Sequence, residues 1–181
     1  MNKTLLITLT FLFVGLHIKV QTKPAEKVES DFFKNLYQIN EWYYRSEQPS
    51  KKGFAELEEA GVKTIINLRR LKDDRRKARN TNLQLEHIPL KTKVITENDI
   101  IEVLKRIDDA KKPVLVHCWH GSDRTGIITA VYRIVFENWT KSQAIKEFRQ
   151  PEFGYHENWY PNLLGLINNL NVERVKAALN L

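Results

Sequence analysis

The feature that most constrains the fold is the stretch VLVHCWHGSDRTGII at residues 114–128. It consists of a short apolar run, a polar loop that contains a glycine, and a second apolar run with helical spacing. This order predicts a buried strand that ends at His117, a loop over residues 118–123, and a helix from near Arg124 to about Asn138. In an α/β sheet such a loop lies at the carboxyl edge of the strand, where ligands bind.

Strand-like and helix-like segments alternate along the rest of the chain. The alternation predicts one α/β domain over residues 28–181, with a central, mostly parallel sheet of four to five strands flanked by helices. Thr96 with Asp99, and Thr140 with Gln143, form capping-box patterns that open two of the helices. The predicted strands lie within residues 36–50, 63–68, 83–90 and 114–117, and the predicted helices within residues 50–60, 96–110, 124–138, 140–150 and 159–179.

The N-terminal segment differs from the rest of the chain. Lys3 precedes an uncharged, apolar-rich run over residues 5–16, and His17 and Lys19 follow it. This run is too short to cross a hydrocarbon core of about 30 Å comfortably, but it matches the apolar region of a secretory signal peptide. Residues 1–22 are therefore predicted to export the protein to the periplasm or the medium. An uncleaved membrane anchor formed by residues 5–16 is the open alternative.

The charge of the chain favours anionic partners. The formal net charge is +7, and the segment 69–79 carries seven basic residues among eleven. Arg69 follows a predicted strand, so it is expected near the same sheet edge as the loop at residues 118–123. Charge runs are also common on plain solvated surfaces. No nucleic-acid-binding module accompanies the charge, so we expect no nucleic-acid partner, and we expect a monomer.

Cys118 is the single cysteine of the chain, so it forms neither an intramolecular disulfide nor a multi-cysteine zinc site. A helix N-terminus and a neighbouring arginine and histidine favour the thiolate form. The amides of the loop can cradle an anion, with Gly121 providing backbone freedom and Arg124 a planar fork for two phosphoryl oxygens. The segment therefore predicts covalent phosphoryl transfer through a phosphocysteine.

The residues HCWHGSDRTG resemble the His-Cys-x5-Arg-Thr/Ser-Gly signature of cysteine-based protein tyrosine and dual-specificity phosphatases, compact bacterial type. The resemblance covers about residues 36–165, including YYRSEQPSKKGFAELEEAGVKTIINLR. It implies a dual-specificity-phosphatase-like fold and a reaction without cofactor or metal. It also implies that Cys118 attacks phosphorus and Arg124 holds the phosphoryl oxygens, while Thr125 steadies the thiolate and His117 orients the loop.

The remaining residues of the motif are the predicted phosphate contacts. Arg45 and His156, which lie in family-like segments, are expected to border the site. No metal ligands are predicted, because His117, Cys118 and His120 do not make up a well-spaced set of four. The predicted substrate-binding residues are Trp119, His120, Gly121, Ser122, Thr125, Gly126 and Arg69.

The general acid is less well marked. Dual-specificity members place an aspartate just after an Ile-Pro strand, but this chain has Lys91 there. Asp123 is the preferred candidate, because myotubularin-type phosphatases also carry Asp-Arg-Thr at this point and an acid must reach the leaving oxygen. Asp123 could instead simply cap the following helix. Glu97 and Asp99 are the alternative acids.

The sequence therefore predicts a phosphate monoester hydrolase of the protein tyrosine or dual-specificity type. The expected substrate is a phosphorylated protein or an inositol-phosphate-type molecule. A phosphoinositide or inositol-polyphosphate phosphatase on the same scaffold is one alternative, and the basic segment 69–79 favours it. A catalytically inactive phosphate-binding domain is another, although the complete Cys-x5-Arg set argues against it.

Overall fold

The computed structural model describes residues 23–181. The predicted signal peptide or anchor, residues 1–22, lies outside the described residues. Among residues 23–181, no helix combines the length and apolar character needed to cross a membrane.

A six-stranded sheet forms the centre of the fold, with the strand order β1-β2-β3-β6-β4-β5. The four strands β3, β6, β4 and β5 are parallel, and β1 and β2 extend the β3 edge as antiparallel neighbours. The predicted mostly parallel α/β sheet is confirmed. It exceeds four to five strands because β1 is a two-residue, exposed strand that no apolar pattern marks. The strands are β1 (Glu26–Lys27), β2 (Tyr37–Gln38), β3 (Tyr43–Ser46), β4 (Thr64–Asn67), β5 (Gln84–His87) and β6 (Val114–His117).

The strand β6 lies between β3 and β4, and all four of its residues are buried. Its neighbours are in register with it, so that Leu115 pairs with Ile65 and Val116 pairs with Ile66. Successive side chains point to opposite faces of a sheet, and both faces are covered here. The end of β6, where the polar loop begins, therefore has the ends of β3 and β4 on either side.

Helices cover the two faces unequally. The helix α1 packs with Ile65 and Leu115 in a smaller apolar cluster on one face. The other five helices pack with Ile66 and Val116 in the main core on the opposite face. The helices are α1 (Lys51–Glu59), α2 (Glu97–Asp109), α3 (Asp123–Phe136), α4 (Lys141–Phe148), α5 (Asn162–Asn168) and α6 (Val172–Ala178), with short 3-10 turns at Thr92–Val94 and Pro151–Phe153.

The helix starts agree with the capping patterns of the sequence. Ser50 accepts a hydrogen bond from the Gly53 amide at the start of α1. Both predicted capping boxes, at the starts of α2 and α4, are present. The helix α3 begins at Asp123, one residue before the predicted start, and the C-terminal segment forms two helices.

A buried ionic network fixes the far end of α3. The Arg133 guanidinium donates to both carboxylate oxygens of Glu147, at 2.8 and 3.0 Å, and to Glu137 and the Ile39 carbonyl. It lies 4.3 Å from the centre of the Trp139 ring. Hydrogen bonds and opposite charges raise the pKa of Arg133, although its burial alone would lower it. The network ties α3 to α4 without contacting the polar loop.

Candidate active site

The Cys118 loop, residues 118–122, connects β6 to α3. Cys118 directly follows the central strand and is only 2% exposed. The His117 carbonyl accepts a hydrogen bond from the Leu68 amide at 2.8 Å, which joins the start of the loop to the end of β4. The Trp119 carbonyl accepts one from the Gln48 amide at 3.1 Å, which joins the loop to the segment after β3. The loop is therefore held from both neighbouring strands.

His117 is buried below the loop, and both of its ring nitrogens have partners. Nδ1 lies 3.0 Å from the carbonyl oxygen of Cys118, and Nε2 lies 2.8 Å from Oδ2 of Asp74. Gln48 donates a further hydrogen bond to Asp74 at 2.9 Å. The contact joins the His117 ring to the Cys118 backbone, and the role of His117 in orienting the loop stays a prediction.

Asp74 was not singled out by the sequence, where it looks like one of two acidic residues in a basic run. The structure buries it almost completely, while the adjacent Asp73 is exposed. Burial alone would raise the pKa of Asp74, but hydrogen bonds from His117 and Gln48 and the charges of His117 and Arg69 lower it below its usual value. Asp74 is therefore a structural partner of the site.

Gly121 gives the loop its sharp turn. Its φ is +75°, a left-handed conformation that side chains disfavour. A Cβ atom here would lie 2.6 Å from the backbone of Ser46 and Glu47. The buried Arg45 donates to the Gly121 carbonyl at 2.6 Å, and its guanidinium lies 4.3 Å from the centre of the Phe153 ring. Arg45 thus supports the loop from below, and does not line its mouth.

Arg124 lies in the first turn of α3 and is half-buried. One of its terminal nitrogens donates to the Leu68 carbonyl at 3.3 Å. Its buried Nε and the buried Oγ1 of Thr125 have no hydrogen-bond partner among residues 23–181. Buried donors usually have partners, so these two groups fit a ligand that accepts hydrogen bonds, such as a phosphoryl oxygen.

Gly126 sits where α3 meets α4. A Cβ atom at this position would lie 2.3 Å from the Phe148 ring. Its role is therefore close packing of the helix that begins at the loop, and the structure shows no contact that would require it for phosphate binding.

Arg69 and Trp119 lie on one side of the Cys118 loop. The Arg69 guanidinium lies 4.5 Å from the centre of the Trp119 ring and donates a hydrogen bond to Gln48. Burial lowers the pKa of Arg69. Its contact with Trp119 places the Arg69 guanidinium beside the Cys118 loop. Trp119 remains 52% exposed. Together they form one wall of a groove.

This basic groove has a volume of about 460 Å³. It carries four cationic side chains and one carboxylate, with Leu71 and Trp119 as its apolar lining. Part of the basic segment predicted from the sequence therefore does line the site, although Asp74 turns inward. A smaller cavity of about 240 Å³ flanks Arg124 and is lined by Arg70, Lys91, Lys93 and Tyr160 among others. The basic groove is lined by Arg69, Leu71, Lys72, Asp73, Arg76, Lys77 and Trp119.

Asp123 is the first residue of α3, and its carboxylate is bound by His156. The His156 amide donates to Oδ1 at 2.9 Å, and the Nδ1 atom of its ring lies 3.0 Å from Oδ2. The His156 ring is also 5.7 Å from the ring of His120, an exposed residue of the Cys118 loop. The expectation that His156 borders the site is therefore met by its contacts with two residues of the motif.

The alternative acids are engaged elsewhere. Asp99 accepts hydrogen bonds from the backbone and side chain of Thr96 as part of the capping box. Glu97 pairs with Arg174 and accepts a hydrogen bond from the Asn171 amide at 2.9 Å. Both carboxylates thus have structural partners at the start of α2, whereas Asp123 adjoins Arg124.

Ser122, the last loop residue, is buried. Its hydroxyl donates to the His120 carbonyl at 3.4 Å and lies near Gly154, which has a φ of +66°. Gly154 thus lets the segment before His156 pass close to the loop. Among residues 23–181, no group of three or more histidine, cysteine or acidic residues is arranged to hold a metal ion.

The fold and the site define a class of protein. A family described as "Polymorphic toxin system, DSP-PTPase phosphatase" matches residues 41–138, just over half of the chain. The matched region includes all four parallel strands, the Cys118 loop and all of α3. The chain belongs to this DSP-PTPase phosphatase family, and the resemblance drawn from its signature is confirmed.

Two individual phosphatases are similar to the chain in sequence. Dual specificity protein phosphatase TpbA of Pseudomonas aeruginosa is 33% identical over 122 residues, which is 66% of this chain and 56% of TpbA. The aligned region thus spans little more than half the length of that relative. Inositol diphosphatase DSP5 of Arabidopsis thaliana is 25% identical over 160 residues, which is 80% of this chain and 74% of DSP5.

Solved structures of phosphatases are also similar to this protein. The crystal structure of P. aeruginosa TpbA matches with a TM-score of 0.78 and 28% identity, covering 87% of this chain and 96% of that chain. TpbA has also been crystallised in complex with pTyr. The core catalytic domain of the PP-IP phosphatase Siw14 from S. cerevisiae matches with a TM-score of 0.65 at 20% identity, covering 88% of this chain and 96% of that chain, and shares the fold.

Proposed function

We propose that the protein hydrolyses phosphate monoesters through a phosphocysteine intermediate. The observation that carries this proposal is the placement of Cys118 at the end of the central strand, in a loop followed by Arg124 and Thr125, each of which has an unpaired buried donor atom among residues 23–181. Membership of the DSP-PTPase family supports it.

The reaction has two steps. The Cys118 sulfur attacks phosphorus, and the bond to the leaving oxygen breaks as that oxygen takes up a proton. Arg124 and the amides of the Cys118 loop hold the other phosphoryl oxygens, whose charge they stabilise more strongly in the transition state than in the ground state. Water then cleaves the sulfur–phosphorus bond and releases inorganic phosphate. Because Asp123 is the carboxyl group next to Arg124, we propose that the transfer of the proton involves it.

The substrate we favour is a phosphotyrosine-type monoester in a protein. Two observations support it: the chain is similar to TpbA, which has been crystallised with pTyr, and the exposed aromatic ring of Trp119 stands beside the loop. An aromatic side chain at the mouth of the site can pack against a phenyl ring.

An inositol phosphate is the second candidate. The basic groove beside the loop favours it, since Lys72, Arg76 and Lys77 could bind further phosphate groups of a polyanion. The similarity to an inositol diphosphatase, DSP5, supports the same candidate.

The activity can be tested with p-nitrophenyl phosphate in the presence of EDTA. We expect hydrolysis by the wild-type protein and none by Cys118→Ser or Arg124→Ala. If wild type and Cys118→Ser are equally inactive over a broad pH range but still bind phosphate, the protein is a phosphate-binding domain. The inactive Cys118→Ser variant is then mixed with a panel of phosphopeptides and inositol phosphates. The ligand that it binds identifies the substrate.

We also propose that the protein is exported and acts as a monomer. The charge and apolar pattern of residues 1–22 supports export. Fractionation of cells that produce the full chain tests it: we expect the protein in the periplasm or medium, shortened by about the length of that segment, or in the membrane fraction if residues 5–16 remain as an anchor. Recovery of the full-length protein in the cytoplasm would contradict export, and a dimer in sedimentation would contradict the monomer.

A further inference from the structure

His156 is held in a fixed orientation beside the Cys118 loop. Its amide and its Nδ1 atom both contact the Asp123 carboxylate, at 2.9 and 3.0 Å. Its ring stacks on Trp159 with an interplanar angle of 11° and a centroid distance of 5.1 Å. Asp123 therefore fixes the backbone and one edge of the His156 ring, and Trp159 fixes one face of the ring.

The other ring nitrogen of His156 is free. Within residues 23–181, Nε2 makes no hydrogen bond, and the side chain is 34% exposed. A carboxylate that accepts the Nδ1 proton sets which nitrogen of an imidazole faces outward, as in other carboxylate–histidine pairs. Here the nitrogen without a hydrogen bond is Nε2, and the His156 ring centre lies 5.7 Å from that of His120 in the Cys118 loop.

Asp123 is poorly placed to give up a proton directly. It is buried at the start of α3, and both of its oxygens accept hydrogen bonds from His156. Imidazole, in contrast, is the side chain best suited to exchange protons near neutral pH. The pair therefore has the arrangement of an orienting carboxylate and a proton-carrying imidazole.

We propose that His156 Nε2 gives the proton to the leaving oxygen and that Asp123 orients the ring. This inference rests on the phosphatase function proposed above. Before the first step His156 is an imidazolium, with one proton on Nδ1 bound to Asp123 and one on Nε2. The sulfur–phosphorus bond then forms, the electron pair of the breaking phosphorus–oxygen bond stays on the leaving oxygen, and that oxygen takes the proton from Nε2, which leaves a neutral imidazole protonated at Nδ1. In the second step water attacks phosphorus and returns a proton to Nε2, and the thiolate leaves.

The test is His156→Asn, whose side-chain amide can still donate to Asp123 but cannot carry the proton. Phenyl phosphate has a poor leaving group that needs a proton, whereas p-nitrophenyl phosphate has a good one that does not. We expect kcat/KM for phenyl phosphate to fall about 100-fold and that for p-nitrophenyl phosphate to change less than about fivefold. The matched control is Glu157→Gln, on the same segment but paired with Arg149, which should leave both values unchanged.

Three results would overturn the proposal. Retention of phenyl phosphate hydrolysis by His156→Asn would show that another group, Asp123 first of all, is the donor. An equal loss on both substrates would show that His156 only supports the loop. If only Asp123→Asn, and not His156→Asn, lost activity on phenyl phosphate while keeping it on p-nitrophenyl phosphate, the proton donor would be Asp123. Full activity of Cys118→Ser would instead refute the phosphocysteine mechanism, and an inactive wild-type protein would refute the phosphatase function, so these failures are distinguishable from that of the His156 proposal.

Discussion

His117 Nε2 and Asp74 Oδ2 lie 2.8 Å apart in the interior, although 43 residues separate them in the chain. The pair joins the segment after β4 to the residue before Cys118. Because Nδ1 of the same ring contacts the Cys118 carbonyl, a change at Asp74 is expected to reach the backbone of the Cys118 loop.

Asp74→Ala should lower the free energy of unfolding by about 1–3 kcal/mol at pH 7, since it leaves buried polar groups without a partner. The pKa of Asp74 is lowered in the folded protein, so its contribution is present above the unfolded value, about 3.9, and is lost as the pH falls through the folded value. Urea unfolding at pH 7 and at about pH 3 should therefore show the difference from wild type shrinking in acid.

The matched control is Asp73→Ala. Asp73 is exposed and pairs only with the exposed Arg75 among residues 23–181, so its removal should change stability by less than about 0.5 kcal/mol. Equal effects at the two positions would contradict the structural role given to Asp74.

Gly126→Ala should destabilise the protein by about 1–3 kcal/mol, because the added methyl group overlaps the buried Phe148 ring at 2.3 Å. A methyl group added at Gly165, which lies in α5, would meet no atom within 4 Å beyond the backbone of its own helix. Gly165→Ala should therefore stabilise the protein by up to about 1 kcal/mol through helix propensity. Thermal unfolding of both variants measures the difference in stability. If Gly126→Ala were as stable as wild type, Phe148 and α4 would be able to move away from α3 at little cost.

Arg76→Gln should raise the KM for an inositol polyphosphate about three- to tenfold at low salt if the basic groove binds its outer phosphates. The effect should fade as the salt concentration rises, because salt screens exposed charges. Arg75→Gln is the control: Arg75 is also exposed but does not line the groove. If KM responds equally to both substitutions, general charge and not the groove governs the affinity.

Glu147→Ala should destabilise the protein by about 3 kcal/mol, since it leaves the buried Arg133 without its bidentate partner. Glu157→Ala removes the partner of Arg149 in a similar but exposed pair and should destabilise the protein far less, since water screens the pair. Chemical denaturation of both variants tests the comparison. A loss of stability in Glu157→Ala as large as that in Glu147→Ala would contradict the importance of burial, because water solvates both members of the Glu157–Arg149 pair.

The sequence was most informative where the relevant residues are neighbours in the chain. The strand, the Cys118 loop and α3 follow one another within a single segment, and a capping box such as Thr96–Asp99 needs only three residues. Local hydrogen bonds and the spacing of apolar residues determine these features, so they can be predicted from the residue pattern.

Features that depend on distant residues were not predictable in the same way. Nothing local distinguishes Asp74, which turns inward to His117, from the exposed Asp73. The pairing of Asp123 with His156 likewise depends on how α4 and the following turn return the chain to the loop. The strand β1 has two polar residues and exists only because β2 lies beside it.

Because β6 lies between β3 and β4, the residues proposed for the chemical step and those of the basic groove come from different segments of the chain. Cys118 and Arg124 come from the segment after β6, while Arg69 and the basic groove come from the segment after β4, and His156 comes from beyond α4. The exposed basic residues of the loop after β4 could therefore be exchanged for residues of different charge to redirect the protein toward another phosphate ester, as long as Asp74 and its contact with His117 are kept.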